Sequence, residues 1–98
     1  MKVLKTSEFG EWHEELHLRV RAQVDARIAR IEKFDHFGNW KYLGDGLAEL
    51  KWKSGLRVYF SRVGNKIILL VQGGTKHGQK KDIKKAKNIL QKYADISP

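Results

Sequence analysis

Apolar residues recur at three- and four-residue intervals from Phe9 through Trp12, Leu16, Val20, Val24, Ile28 and Ile31, the spacing of one buried helix face. Residues 8–34 therefore read as helical, and their length favours a hairpin of two helices over a single rod. Thr6 or Ser7 supplies an N-cap, with Glu8 and Glu11 placed to complement a helix N-terminus. Lys2–Lys5 upstream reads as a short strand. The stretches Phe37-Gly38-Asn39-Trp40 and Gly44-Asp45-Gly46 read as turns, because Gly and Asn accept backbone angles that other residues resist.

Three β-prone runs follow, at residues 47–53, 56–63 and 66–73, separated by Ser54-Gly55 and Gly64-Asn65, and they predict an antiparallel meander. In the first two, Leu50, Trp52, Val58 and Phe60 alternate with Glu49, Lys51, Lys53, Arg57, Tyr59 and Ser61. One sheet face is thus expected to be apolar and the other basic and aromatic. Residues 67–71 are apolar throughout and read as the central strand, covered on both sides. Residues 79–93 form a last helix whose apolar stripe is Ile83, Ala86, Leu90 and Tyr93. The expectation is an α+β fold: an antiparallel-dominated twisted sheet packed against an N-terminal helical hairpin, plus a C-terminal helix.

Composition narrows the function classes. The 98 residues are 41% hydrophobic and 32% charged, which fits one compact domain. With no cysteine, a disulfide scaffold, a Cys-based zinc site and a thiol nucleophile are excluded. No apolar run approaches the roughly 18–20 residues that span a bilayer, and the N-terminus lacks a signal-peptide core, so a cytoplasmic protein without membrane partners is expected.

Charge is distributed unevenly. Residues 1–49 hold 8 basic and 9 acidic side chains, whereas residues 50–98 hold 12 basic and 2 acidic. A cationic field concentrated on part of a small domain attracts polyanions, with RNA or DNA the first candidates. On the last helix Lys80, Lys81, Lys84, Lys85 and Lys87 crowd two turns with only Asp82 to offset them. Like charges at i,i+4 weaken a helix by a few tenths of a kcal/mol per pair, so their retention points to nucleic-acid contact. A solvated lysine face is the competing reading.

There is no P-loop, dinucleotide fingerprint, HExxH or GxSxG motif. His13 and His17 stand at i,i+4, but without a clear third ligand they read as exposed helix-face histidines, and neither metal nor cofactor is expected. What remains is the basic sheet face, with Lys51, Lys53 and Arg57, and the loop from Gly73 through Lys76 and His77 to Gln79. Metal-free RNA cleavage needs a base for the 2′-OH proton, cations for the charge developing on the phosphorane, and an acid for the leaving 5′-oxygen. Arg suits the phosphate role through its planar fork, and Lys suits proton transfer where neighbouring cations or burial lower its pKa. An ordinary set of exposed strand charges is the alternative.

The element order resembles the RelE/ParE superfamily of bacterial toxins, in its addiction module killer, HigB-like branch. The residues that carry this are RVYF at 57–60 and LLVQGGTKHGQKKDIKKAK from Leu69 to Lys87, with Phe9, Trp12, Leu16, Arg27-Ile28-x-Arg30-Ile31, Gly38-Asn39 and Gly44-x-Gly46-x-x-Glu49-Leu50. The resemblance implies the toxin of a type II toxin–antitoxin pair, an mRNA endoribonuclease acting in the ribosome. It also implies a co-expressed antitoxin, often of helix-turn-helix type, and contact with operator DNA only through the antitoxin complex. The resemblance implies Arg57 and Lys76 as the main functional positions; from the charged faces themselves, Lys51 and Lys53 are the candidates for assisting proton transfer, and Lys80, Lys81, Lys84, Lys85, Tyr59 and His77 for contacting RNA. Two other readings fit the same fold: a ParE-like poison of DNA gyrase without nuclease chemistry, and an inactive homologue that only binds its antitoxin. The chain departs from the branch pattern at Leu18, where an acidic residue is usual, and near the C-terminus, where a late Tyr or His–Tyr–His group has no counterpart beyond Tyr93.

Overall fold

The computed structural model describes residues 1–96, with side chains through Tyr93. Strand β1 (Lys2–Lys5) leads into helices α1 (Ser7–Glu14) and α2 (Leu18–Phe34). Four strands follow, β2 (Trp40–Gly44), β3 (Leu47–Lys51), β4 (Leu56–Val63) and β5 (Ile67–Thr75), and then a 3₁₀ turn (Lys76–Gly78) runs into α3 (Gln79–Ile96). The strands form one sheet in the order β1-β5-β4-β3-β2, with β1 parallel to β5 and every other pair antiparallel. This is the expected α+β arrangement.

Thr6 shows why α1 starts where it does. Its Oγ1 accepts from the Phe9 backbone N–H at 2.9 Å, which caps the helix, and donates to the Val71 carbonyl at 2.7 Å, which ties the cap to β5. The two N-terminal helices break at Glu15-Leu16-His17, where His17 caps α2 by accepting from the Arg19 N–H. They are joined again by His13 to Asp25 at 2.7 Å and by Arg21 to the Glu14 carbonyl. The two histidines thus do not share a helix face as their spacing implied: His13 is partly buried and paired to a carboxylate, and His17 is a cap.

The predicted helical stripe is the core of one side of the sheet. Phe9, Val24, Ile28 and Ile31 pack on Leu50, Val58, Phe60, Ile68 and Leu70, all buried, with Trp12, Leu16 and Val20 at the margin. The opposite side is closed by α3, whose Ala86 and Ile89 are buried against Leu47, Tyr59 and Val71, with Ile83, Leu90 and Tyr93 beside them.

Three expectations need correction. Residues 40–44, read as part of a turn region, form the edge strand β2; its Trp40 and Tyr42 share the face of Leu50 and Ala48 but sit at the sheet margin, 43% and 60% exposed, so no buried run betrays it. The turn lies at Gly44-Asp45-Gly46, where all three residues have positive φ. The central strand is β4, and β5 lies one place towards the edge, though it is covered on both sides as expected. The β3–β4 connection is also longer than two residues: Trp52 and Leu56 bond across a loop of Lys53, Ser54 and Gly55, with Gly55 at φ 102°.

A β-bulge in β5 shapes the site. Tyr59 pairs with Gln72 and Phe60 with Leu70, which leaves Val71 without a cross-strand partner; its carbonyl is the one that Thr6 occupies. Beyond the bulge, Gly73 turns to the α1 side and Gly74 to the α3 side. A Cβ on Gly73 would lie 2.3 Å from the Trp12 indole, and one on Gly74 would lie 2.1 Å from Asp82 Oδ2. Both glycines therefore serve close approach of a side chain to bare backbone.

Candidate functional site

At one end of the sheet the β3–β4 loop meets the β5–α3 junction. Lys51 faces Arg57 across β3 and β4, Arg57 faces Gly74 across β4 and β5, and the Lys76 N–H donates to the Gly55 carbonyl at 2.7 Å. The Lys76 stem lies over Gly55, where an added Cβ would approach its Cγ to 3.2 Å. The fold thus brings Lys51, Arg57 and Lys76 into one neighbourhood, with exposed Lys53 on the adjoining loop.

Arg57 is not a free fork reaching into solvent. Its side chain is 11% exposed, its Nη1 donates to the carbonyls of Trp52 at 3.2 Å and Leu56 at 3.0 Å, and its Nε lies 3.9 Å from Glu49 Oε2. Glu49 is 1% exposed, and both its oxygens accept from Gln79 Nε2, at 3.1 and 2.9 Å. A buried carboxylate is tolerated only with compensating charge or hydrogen bonds, and here Gln79 at the start of α3 and the nearby guanidinium supply both. Glu49 and Gln79 are thus part of the site's frame. The sequence offered a hint in Glu49, an acid on the same strand face as Lys51 and directly across from Tyr59.

Tyr59, expected to contact RNA, is fully buried beneath α3, so that expectation fails. Alternation assigned it correctly to the Arg57 face, but the last helix covers that face at its centre. Burial, reinforced by the charges of Glu49 and Asp82 and partly opposed by Arg57, raises its pKa from 10.0 to about 12. Its hydroxyl, Gln72 Oε1 and Arg57 Nε are all buried without a hydrogen-bond partner among the described residues.

The other expected RNA contacts are on the surface. Lys80, Lys81, Lys84 and Lys85 are exposed along α3, and His77 is exposed in the 3₁₀ turn beside Lys76. Lys87 is instead paired with Asp45 at 3.1 Å, and Tyr93 is engaged with Glu8 and the Ser7 N–H, on the α1 flank. Among the described residues no group of three or more His, Asp or Glu side chains is disposed to hold a metal ion, and no helix is long and apolar enough to cross a membrane.

Chemically, this end of the sheet presents lysine ammonium groups around a guanidinium held beside a buried carboxylate. Such an arrangement suits a phosphodiester, since cations can meet the charge that develops on phosphorus while a fixed group holds the local field.

No known family model matches the chain. An uncharacterised protein of Haemophilus influenzae is 37% identical over 94 residues, a match covering 93% of this chain and 94% of that protein. Among solved structures, the isolated E. coli RelE toxin superposes with a TM-score of 0.64 at 14% identity, covering 86% of this chain and 96% of RelE. RelE in the intact E. coli RelBE toxin–antitoxin complex gives 0.62 at 14% identity, covering 76% of this chain and 94% of that chain. The shared architecture at so low an identity is one of backbone and layers, and it is the architecture the sequence pattern led us to expect. The chain has the RelE fold, and it belongs to one family with the Haemophilus influenzae protein.

Proposed function

We propose that the protein is the toxin of a type II toxin–antitoxin pair, of the addiction module killer, HigB-like branch. In this reading it is a metal-independent endoribonuclease that cuts mRNA on the ribosome in the cytoplasm. A cognate antitoxin, of helix-turn-helix type, neutralises it and carries the complex to operator DNA. The observation that supports this most is the meeting of Lys51, Arg57 and Lys76 at one end of a RelE fold. The likeness to RelE in the RelBE complex supports an antitoxin partner.

The chemistry follows from that geometry. The 2′-oxygen attacks phosphorus as its proton passes to a neighbouring amine, the P–O5′ bond breaks, and the 5′-oxygen takes up a proton, leaving a 2′,3′-cyclic phosphate and a 5′-hydroxyl. Arg57 and Lys76 stabilise the extra negative charge on the phosphorane, and Lys51 or Lys53 assists proton transfer. Glu49 and Gln79 act through Arg57, by holding its guanidinium against the sheet.

The test is brief induction in growing bacteria of the wild-type chain and of Arg57→Ala, with mRNA 5′ ends mapped within minutes. New ends in translated frames that vanish in the variant are expected. Arrest with intact messages would replace this reading with a ParE-like action on gyrase. Absence of arrest with tight antitoxin binding would leave an antitoxin-binding homologue.

A further inference from the structure

A second cationic feature lies on the other flank of the same end, outside the residues placed in the chemistry above. Arg27 of α2 donates from Nε and Nη2 to the Phe37 carbonyl at 3.0 and 2.8 Å, from Nη1 to the Lys51 carbonyl at 2.6 Å, and from Nη2 to the Asn39 carbonyl. Its guanidinium also stacks over the Trp52 ring at 4.4 Å. All these partners are neutral, so the bonds fix the charge in place without cancelling it. One turn later in α2 stands Arg30, exposed, and among the described residues neither arginine forms an ion pair with a carboxylate. Burial first, and the Arg30 charge after it, lower the Arg27 pKa.

These groups line a cleft of about 370 Å³, together with Gln23, Asn39 and the indole of Trp52. We propose that this cleft is a subsite for one nucleotide of single-stranded RNA, with Arg30 and the fixed charge of Arg27 holding its phosphate. Gln23 and Asn39 meet the base or ribose, and the Trp52 indole forms the apolar wall. The volume lies within the range of small-ligand sites. Side-chain amides and an indole beside paired guanidinium groups match a nucleotide, which offers an aromatic face and donor and acceptor edges as well as an anion. The carboxylates of an acidic peptide would use the arginines and the amide donors but leave the indole face without a stacking partner. The cleft is also continuous with the sheet end: Trp52 lies in the chain between Lys51 and Lys53, and Arg27 holds the Lys51 carbonyl. Arg57 lies on the α3 face of the sheet and the cleft on the α2 face, so a strand that reaches both rounds the β3–β4 loop past exposed Lys53.

The inference rests on the RNA reading above, and its test separates the two. The probe is a short fluorescein-labelled single-stranded RNA carrying 2′-O-methyl groups, which block cleavage, titrated with the full chain across a series of KCl concentrations. The wild-type chain is expected to bind with a marked salt dependence. Arg30→Gln is expected to weaken binding roughly 5- to 10-fold and to reduce the slope of log K against log salt by about 0.7, the loss of one phosphate contact to a single strand. Gln23→Glu, which puts a negative charge on the cleft wall from an exposed helix position, is expected to weaken binding as well. Unchanged affinity in both variants, with wild-type binding intact, overturns the subsite and leaves the RNA reading standing. Failure of the wild-type chain to bind the RNA overturns both. A labelled oligoglutamate peptide is run in parallel: if Arg30→Gln weakens the peptide and spares the RNA, the cleft takes an acidic protein segment and the proposal falls.

Discussion

The two sides of the sheet are built on different principles. Towards α1 and α2 the buried residues are hydrocarbon and aromatic, with Phe9, Val24, Ile31, Leu50, Val58, Phe60, Ile68 and Leu70 fully enclosed. Towards α3 the apolar set of Leu47, Val71, Ala86 and Ile89 shares its space with Glu49, Tyr59, Gln72 and Arg57. Of the four buried polar side-chain atoms without partners among the described residues, three lie on this second side and the fourth is Arg21 Nε on α2. Each such atom costs about 1–3 kcal/mol in lost solvation. The first side supplies the cohesion that lets the second keep groups in unfavourable places, next to the cations that carry the proposed chemistry.

That contrast can be broken from either side. Phe60→Ala, which removes a ring packed against Phe37 at 5.6 Å and Trp40 at 6.2 Å, is expected to cost about 3–5 kcal/mol in urea unfolding, the largest effect here. The two adjacent glycines test the sides against each other. Gly73→Ala drives a methyl into the Trp12 indole, three of whose ring atoms would lie within 2.4 Å of it, and should cost about 1–3 kcal/mol, because a rigid bicyclic ring must shift as a whole. Gly74→Ala meets the end of the Asp82 side chain, which can swing, and should cost clearly less by the same measurement. A larger loss at Gly74 would reverse the assignment of the rigid side.

Smaller effects sharpen the picture of the polar side. Glu49→Gln keeps the shape but gives up the charge beside Arg57 and one of the two acceptors for Gln79, for about 1–2 kcal/mol. Tyr59→Phe removes only an unpartnered hydroxyl and should leave stability at neutral pH within about 0.5 kcal/mol of wild type, or raise it. The pH response identifies this tyrosine. Its folded pKa of about 12 lies above the ordinary value of 10.0, so below pH 10 it contributes no pH dependence. Between pH 10 and 12 the unfolded chain ionises while the folded one holds its proton, and stability falls by up to about 2 kcal/mol. Tyr59→Phe should remove that portion of the alkaline loss; identical slopes in the two proteins would show that the hydroxyl is solvated.

The sequence was legible where one periodicity meets one environment. The seven-residue stripe from Phe9 to Ile31 has the helical period and a single buried face, so helices and core were read together. The joint between the helices was not readable, because His17 caps through a side-chain bond that leaves the apolar spacing intact. Strand β2 was missed since an edge strand whose Trp40 and Tyr42 stay half-exposed at the sheet margin carries no buried alternation, and its flanking glycines announce turns. The cluster of Lys51, Arg57 and Lys76 was foreseeable from strand order and the loop at Gly55. The burial of Tyr59 was not, because alternation assigns a residue to a face without saying what covers it. The apolar stripe of Ile83, Ala86, Leu90 and Tyr93 was legible, but a helical period does not say which sheet face it closes over.

The unpaired Val71 has a consequence for how β5 is read along its length. Before it, even-numbered positions such as Ile68 and Leu70 belong to the hydrocarbon side; after it, the odd-numbered Gly73 does, and the even-numbered Gln72 and Gly74 look towards α3. One strand therefore carries two opposite parities, joined at a single residue whose carbonyl is claimed by Thr6. Flattening the bulge with Val71 retained would pair it with Tyr59, sending Gln72 into the hydrocarbon and Gly73 under Asp82, and so exchange the inside and outside of the site-bearing half while leaving the other half undisturbed.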